Sequence, residues 1–279
     1  MAGLVSATKL TPSEAGWSVA LDPAWDIWGP AGGYLAAIAL RAVREQAPIG
    51  HRPVTLTGQF VRVAKAGTLD VTINPIKSGA SALNSVRLSQ DDQLIFQAQI
   101  WTTTRRDASV VVEPDAPDVP DPDGLPDQQT IAAERNLPLN KFWQNFDSRP
   151  VNFRTFDETP ASVPNQYRWM RFADWSDEPD PFFDAMRTAL LIDLAIWPGH
   201  WHRITEPARY LAPSLDLTVY FHTDAPAGEW LLSDADTDIS SNGLLSGRAR
   251  VWHADGKAIA SGGGHQLVML PKNAEIAER

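Results

Sequence analysis

Two short stretches of this chain are apolar on almost every side. Tyr34-Leu35-Ala36-Ala37-Ile38-Ala39-Leu40 offers no polar face for two turns, and Ala189 to Trp197 is broken only by Asp193. A helix of this kind cannot lie on a surface with one face in water. It must be wrapped by protein on most sides. The candidate bounds, Gly32 to Val43 and Asp184 to Trp197, fall well short of the roughly 20 residues that cross a bilayer. Each helix therefore needs a curved covering, and the sequence after each one supplies it.

After the first helix come strand-like segments at Thr55–Val63, Leu69–Pro75, Ala82–Gln90 and Leu94–Thr102, with a turn at Asp91-Asp92. After the second come Leu215–His222, Trp230–Asp236, Leu244–Trp252 and Ile259–Leu270, with a turn at Asp255-Gly256. Phe60 precedes Gly67 by seven residues, and Phe221 precedes Gly228 by the same interval. Short turns between the strands predict antiparallel pairing. The expected fold class is α+β: a tandem pair of modules, each a curved antiparallel sheet around a central apolar helix. A plain two-layer sandwich is the alternative.

Between the two sets, Glu113 to Asp127 carries six acids, no base, and five prolines. Proline at that density sustains neither a helix nor a central strand, so the segment reads as an extended linker. The expected organisation is an N-terminal module over 1–106, a linker over 107–129 and a C-terminal module over 130–279. The linker also carries much of the net charge of −10. That balance argues against a nucleic-acid partner without forbidding a local basic patch for an anionic ligand. The absence of cysteine excludes disulfides, a thiolate nucleophile and a Cys-built zinc site. With neither a signal-like N-terminus nor a membrane span, a cytoplasmic protein is expected.

Few residues stand out as chemistry. Asp193 lies nine positions past Asp184, too deep to cap its helix. A carboxylate there must be paired, hydrogen-bonded or protonated. It is either a structural group or one that positions or activates water. Ser214 opens the following strand, where alternation puts Leu215, Leu217, Val219 and Phe221 on the opposite face. No Gly-x-Ser-x-Gly elbow surrounds it, so a nucleophilic serine is not supported. Gly32-Gly33-Tyr34 sits at the entry to the first helix. Unpaired N–H groups there can hold a carbonyl or an anion, although a tight turn or a close helix–sheet contact reads equally well. The run Gly262-Gly263-Gly264-His265-Gln266 implies a bulge or a close backbone approach. His265 and Gln266 face opposite ways in a regular strand, so only one can face the helix. His200 and His202 read as residues of a Pro-Gly loop without a metal motif.

Taken in order, these residues resemble the acyl-CoA thioesterase II (TesB-like) family, whose members fuse two hotdog modules. The resemblance rests on Trp28-Gly29-Pro30-Ala31-Gly32-Gly33-Tyr34-Leu35-Ala36-Ala37 and His51-Arg52-Pro53-Val54-Thr55-Leu56 in the first half. In the second half it rests on Pro213-Ser214-Leu215-Asp216-Leu217-Thr218, Gly228-Glu229-Trp230-Leu231-Leu232 and Asp255-Gly256-Lys257-Ala258-Ile259-Ala260-Ser261. It implies hydrolysis of acyl-CoA thioesters by a water held between an Asp on the second helix, a Thr or Ser at the next strand and a Gln in the last strand. Asp193, Ser214 and Gln266 match those positions, with His265 the rival for the third and a bulge at the glycines needed to turn Gln266 inward. Gly32, Gly33 and Tyr34 match the thioester-binding entry, where N–H groups of Gly33 and Tyr34 would stabilise the oxyanion. The resemblance implies an acyl-CoA substrate, no cofactor and no metal. Because hotdog sheets commonly pair edge to edge, a homo-oligomer is expected, its subunit number left open. A hotdog hydratase or dehydratase and a non-catalytic acyl-CoA-binding module remain the alternatives.

Overall fold

The computed structural model describes residues 3–14, 16–105, 112–154, 165–175, 179–204, 210–224 and 229–269. The first half runs α1 (Leu4–Ala7), β1 (Thr11–Ser13), β2 (Gly16–Ala20), α2 (Gly32–Gln46), β3 (Arg52–Phe60), β4 (Thr68–Lys77), β5 (Ser81–Gln90) and β6 (Gln93–Thr103). The second runs α3 (Gln128–Glu134), β7 (Phe146–Pro150), β8 (Gln166–Phe172), α4 (Pro181–Trp201), β9 (Asp216–Phe221), β10 (Leu231–Ser241), β11 (Leu244–His253) and β12 (Ala258–Leu267).

These strands form one antiparallel sheet in the order β1-β2-β4-β5-β6-β3-β9-β12-β11-β10-β8-β7. The seam is β3 against β9, with Gly58 opposite Leu217 and Leu56 opposite Val219. Outward from the seam, each half presents its first strand after the helix, then its fourth, third and second. The two strands that precede the helix follow. The sheet encloses α2 and α4, whose apolar residues from Tyr34 to Leu40 and from Ala189 to Ile192 are buried in a single core. The helices touch closely because Gly33 lacks a side chain: a Cβ there would stand 2.5 Å from the Leu190 Cα. At the tips, Asp91-Asp92 and Asn242-Gly243 take positive φ at both positions, the geometry that matches a two-residue hairpin to strand twist.

The structure departs from the expectations in five places. First, α4 is longer at both ends. Asp180 caps its start by accepting from Phe182 N at 2.8 Å, and the helix continues through Pro198 to Trp201. His200 and His202 are therefore buried at the end of a helix and do not lie in a loop. Second, β9 begins at Asp216, so Ser214 lies outside the regular strand, bridged to Gln266. It is thus free of the alternation that set it on the opposite face from Leu217. Third, no bulge interrupts Gly262–Gly264. Their ladder with Ala249, Arg248 and Gly247 is regular, and the register shift falls near Ile259, between Val251 and Trp252. The glycines are there because neighbouring strands approach too closely for a Cβ, which would collide with the carbonyl oxygens of Thr218, Gly247 and Asp216.

Fourth, the acidic segment is docked against the second half. Trp169 Nε1 donates to Pro120 O at 2.9 Å, and Arg149 Nη1 donates to Pro122 O and Leu125 O at 3.1 and 2.9 Å. Val119 and Leu125 pack on Trp169, Leu232 and Trp252. Fifth, β1, β2, β7 and β8 were not expected. Gly228 and Leu270 lie outside the described residues. No helix among the described residues is long and apolar enough to cross a membrane.

Candidate active site

At the start of α2, Asp22 accepts from Ala24 N at 2.9 Å and holds a single 3-10 turn at Pro23–Trp25. The chain then passes Pro30-Ala31 into Gly32. The first turn of a helix offers N–H groups with no intrahelical acceptor, and here one of them meets a side chain from the other half. Gly33 N donates to Asp193 Oδ2 at 2.7 Å across the helix contact. Asp193 Oδ1 accepts from Ser214 Oγ at 3.2 Å, and Ser214 Oγ accepts from Gln266 Nε2 at 3.4 Å. A chain of contacts thus links α2, α4, the lead into β9 and the end of β12.

Asp193 is buried, and its pKa is pushed up to about 6. Loss of hydration is the larger effect; the Gly33 N–H and the Ser214 hydroxyl stabilise the anion and partly offset it. Such a carboxylate is ionised at neutral pH yet basic enough to accept a proton. An ionised carboxylate has about four lone-pair sites, and the protein occupies two of them. Gln266 is 4 % exposed, and its Oε1 has no hydrogen-bond partner among the described residues. It faces inward, whereas His265 is exposed and held by Asp216, 3.1 Å from its Nδ1.

Asp193, Ser214, Gln266 and Gly32 all line one cavity of about 410 Å³. Its walls are mostly apolar, and Phe60, Trp28, Trp143 and Trp197 are among the residues that line it. Gly32 is pressed against the carboxylate, where a Cβ would stand 2.9 Å from both Asp193 Oδ1 and Phe60 Cζ. Its N–H has no partner among the described residues.

Tyr34 does not join this group. Its N–H donates to Ala31 O, and its hydroxyl donates to Ala7 O at 2.7 Å while accepting from Asp22 N at 3.3 Å. The ring stacks on Trp25, and burial pushes the phenol pKa up to about 12. The N–H groups of Gly33 and Tyr34 are thus both engaged, which leaves Gly32, a residue of the cavity wall, with the unengaged N–H among the three. Sequence reasoning missed Trp143, Trp197 and Tyr210–Pro213 as wall residues. Tyr210–Pro213 could have been placed by adjacency to Ser214, but Trp143 lies in a stretch with no periodic signal.

A curved antiparallel sheet around paired apolar helices, with a polar cluster where one helix start meets the other helix, is a double-hotdog architecture. The sequence matches the acyl-CoA thioesterase N-terminal domain over residues 21–103 and the acyl-CoA thioesterase C-terminal domain over residues 113–270. The chain belongs to the acyl-CoA thioesterase family. It is 24 % identical to human acyl-coenzyme A thioesterase 8 over 257 residues, covering 82 % of this chain and 78 % of the relative. Among solved structures, acyl-CoA thioesterase II TesB2 from Mycobacterium marinum superposes with a TM-score of 0.78 at 19 % identity, covering 97 % of this chain and 99 % of that one. A hot dog fold protein of unknown function from Alicyclobacillus acidocaldarius gives 0.80 at 23 % identity, covering 96 % and 98 %.

Proposed function

We propose that this chain hydrolyses acyl-CoA thioesters by direct attack of a water molecule that Asp193 activates, without an acyl-enzyme. One observation carries the reading: a buried carboxylate with a pKa of about 6 shares a cavity with Ser214, Gly32 and Gln266, whose carbonyl has no partner among the described residues. Water would donate one hydrogen bond to Asp193 and the other to Gln266 Oε1, which fixes its lone pair toward the thioester carbon. As the water oxygen forms its bond to that carbon, Asp193 takes the proton. The carbonyl electrons move onto oxygen, where the Gly32 N–H stabilises the developing charge. The C–S bond then breaks, the proton passes from Asp193 to the departing sulfur, and the products are free acid and CoA. The mostly apolar walls suit the acyl group.

We also read the two halves as copies of one module, divided by the acidic segment, because their strand orders match about the seam. The test is a single turnover in ¹⁸O-water with an acyl-CoA. Label confined to the product acid, with none on Asp193, is expected. Label entering Asp193 would mean a covalent anhydride instead, and binding without thiol release would mean a non-catalytic module.

A further inference from the structure

Among the described residues, the wall of the acyl cavity carries two that are charged, Asp193 and Arg62. The carboxylate is buried, whereas Arg62 is exposed. Phe60 connects the two places. Its ring tip and Asp193 Oδ1 would each lie 2.9 Å from a Cβ on Gly32, so the ring stands at the reacting groups. Two residues later the chain has reached solvent. Val61 and Val63, on either side of Arg62, are exposed wall residues, as is Trp28. The segment that starts at Phe60 therefore runs from the carboxylate out to the mouth of the cavity.

That mouth is held in place by backbone bonds. Val61 N and Arg62 N donate to Ile95 O at 2.8 and 3.2 Å, and Ala64 is buried. Lys65 N donates to Gln90 Oε1 at 2.8 Å, and Lys65 O accepts from Gln90 Nε2 at 3.0 Å. Arg62 Nη1 donates to Leu94 O at 3.1 Å. This neutral acceptor occupies one donor and leaves the positive charge uncompensated. No carboxylate among the described residues lies within ion-pair distance of Arg62 or Lys65. From Gln46 to Leu69 the sequence has no acid at all, in a chain of net charge −10.

An acyl-CoA does not fit wholly inside a cavity of about 410 Å³ with mostly apolar walls. Such walls cannot replace the hydration of its phosphates, and the pantetheine arm holds them away from the thioester carbon. They must fall beyond the mouth, on a protein whose overall charge repels them. We infer that Arg62 binds a phosphate of the CoA moiety at the mouth and so sets the direction in which substrate enters. Guanidinium pairs strongly with phosphate through parallel N–H bonds, and Lys65 adds a second positive charge on the same segment. The inference rests on the acyl-CoA substrate proposed above but not on Asp193 as the base.

The experiment measures binding of free CoA to the full chain by titration calorimetry, beside turnover of octanoyl-CoA and octanoyl-pantetheine. Arg62→Gln should weaken CoA about tenfold, and Arg62→Lys should recover part of the loss. In turnover of octanoyl-CoA the loss should fall on KM more than on kcat. With octanoyl-pantetheine, which has no nucleotide phosphates, it should shrink to less than about twofold. Dephospho-CoA, which lacks the ribose phosphate, tells the two phosphate positions apart: a loss that persists assigns the pyrophosphate, and one that vanishes assigns the ribose phosphate. CoA that fails to bind the wild type, binds Arg62→Gln equally well, or loses no more than the pantetheine thioester would overturn the inference. Wild type that binds CoA through Arg62 yet releases no thiol would instead overturn the hydrolytic reading alone.

Discussion

Asp193 and Arg44 hold the same place in their helices, each twelve positions after the first residue, and each reaches the start of the other helix. Asp193 accepts from Gly33 N at 2.7 Å near the start of α2. Arg44 Nε meets Asp180, the cap of α4, at 2.5 Å, and the guanidinium lies over Phe183. The position that places a buried carboxylate on one side is closed on the other by an ion pair and an aromatic ring. Within the proposed duplication, the second position has become a fastening between helices.

Asp193→Asn keeps an acceptor for the Gly33 N–H but removes the base. Thiol release from acyl-CoA should fall about 10²–10⁴-fold. A variant that retains wild-type turnover would remove Asp193 from the chemistry.

The same residue sets a pH dependence in two directions. The base must be ionised, so kcat/KM should fall as pH drops through about 6. Stability moves the other way. The folded pKa lies above the unfolded value near 3.8, so the folded state binds the proton more tightly. Stability is therefore greatest below the unfolded pKa and falls as pH rises between the two values. At neutral pH the penalty is on the order of 3 kcal/mol. Asp193→Asn should accordingly raise Tm at pH 7, with the gain shrinking toward pH 4. A Tm difference that does not change with pH would contradict this.

Ser214→Ala removes a hydroxyl that stabilises the Asp193 anion. The acid limb of the pH–rate profile should move to higher pH, and kcat should fall about tenfold or more. An unmoved limb would show that the 3.2 Å contact does not persist in solution.

The two glycines should separate stability from activity. Gly33→Ala drives a Cβ into the Leu190 backbone and should cost about 1–3 kcal/mol of stability by forcing the helices apart. Gly32→Ala meets Asp193 and Phe60 side-chain atoms, which can shift. It should therefore lose turnover with a smaller change in Tm. Parallel thermal melts and initial rates check both.

Tyr34→Phe should leave kcat within about twofold and lower stability by about 1–2 kcal/mol, since the hydroxyl serves Ala7 and Asp22 rather than substrate. A large loss of rate at unchanged stability would restore Tyr34 to the site.

The parts of this fold that the sequence disclosed were those with strong local signals. The apolar runs at Tyr34–Leu40 and Ala189–Ile192 required a wrapped helix, and the Asp91-Asp92 turn marked a hairpin. Asp193 stood out because an ionisable group in such a run has few explanations. What stayed hidden depended on contacts distant in sequence. Tyr34 appeared suited to the helix entry, but its direction is set by Trp25 and Ala7. β7 and β8 have no clean alternation because Arg168 and Ser148 face inward to one another. The helix through Pro198 persists despite the lost N–H, supported by burial that a local rule does not count.

The seam between β3 and β9 has a consequence for when activity can arise. The glycine entry and the carboxylate belong to opposite sides of it, so neither side alone holds the complete set of groups proposed to react. During synthesis, a chain that has emerged only as far as the acidic segment would present a helix start with nothing to ionise beside it. Catalytic competence would appear only after Gln266 has paired with Ser214. Thioester cleavage followed during refolding would therefore time the closure of the whole sheet, and an assay of product would double as a clock for assembly.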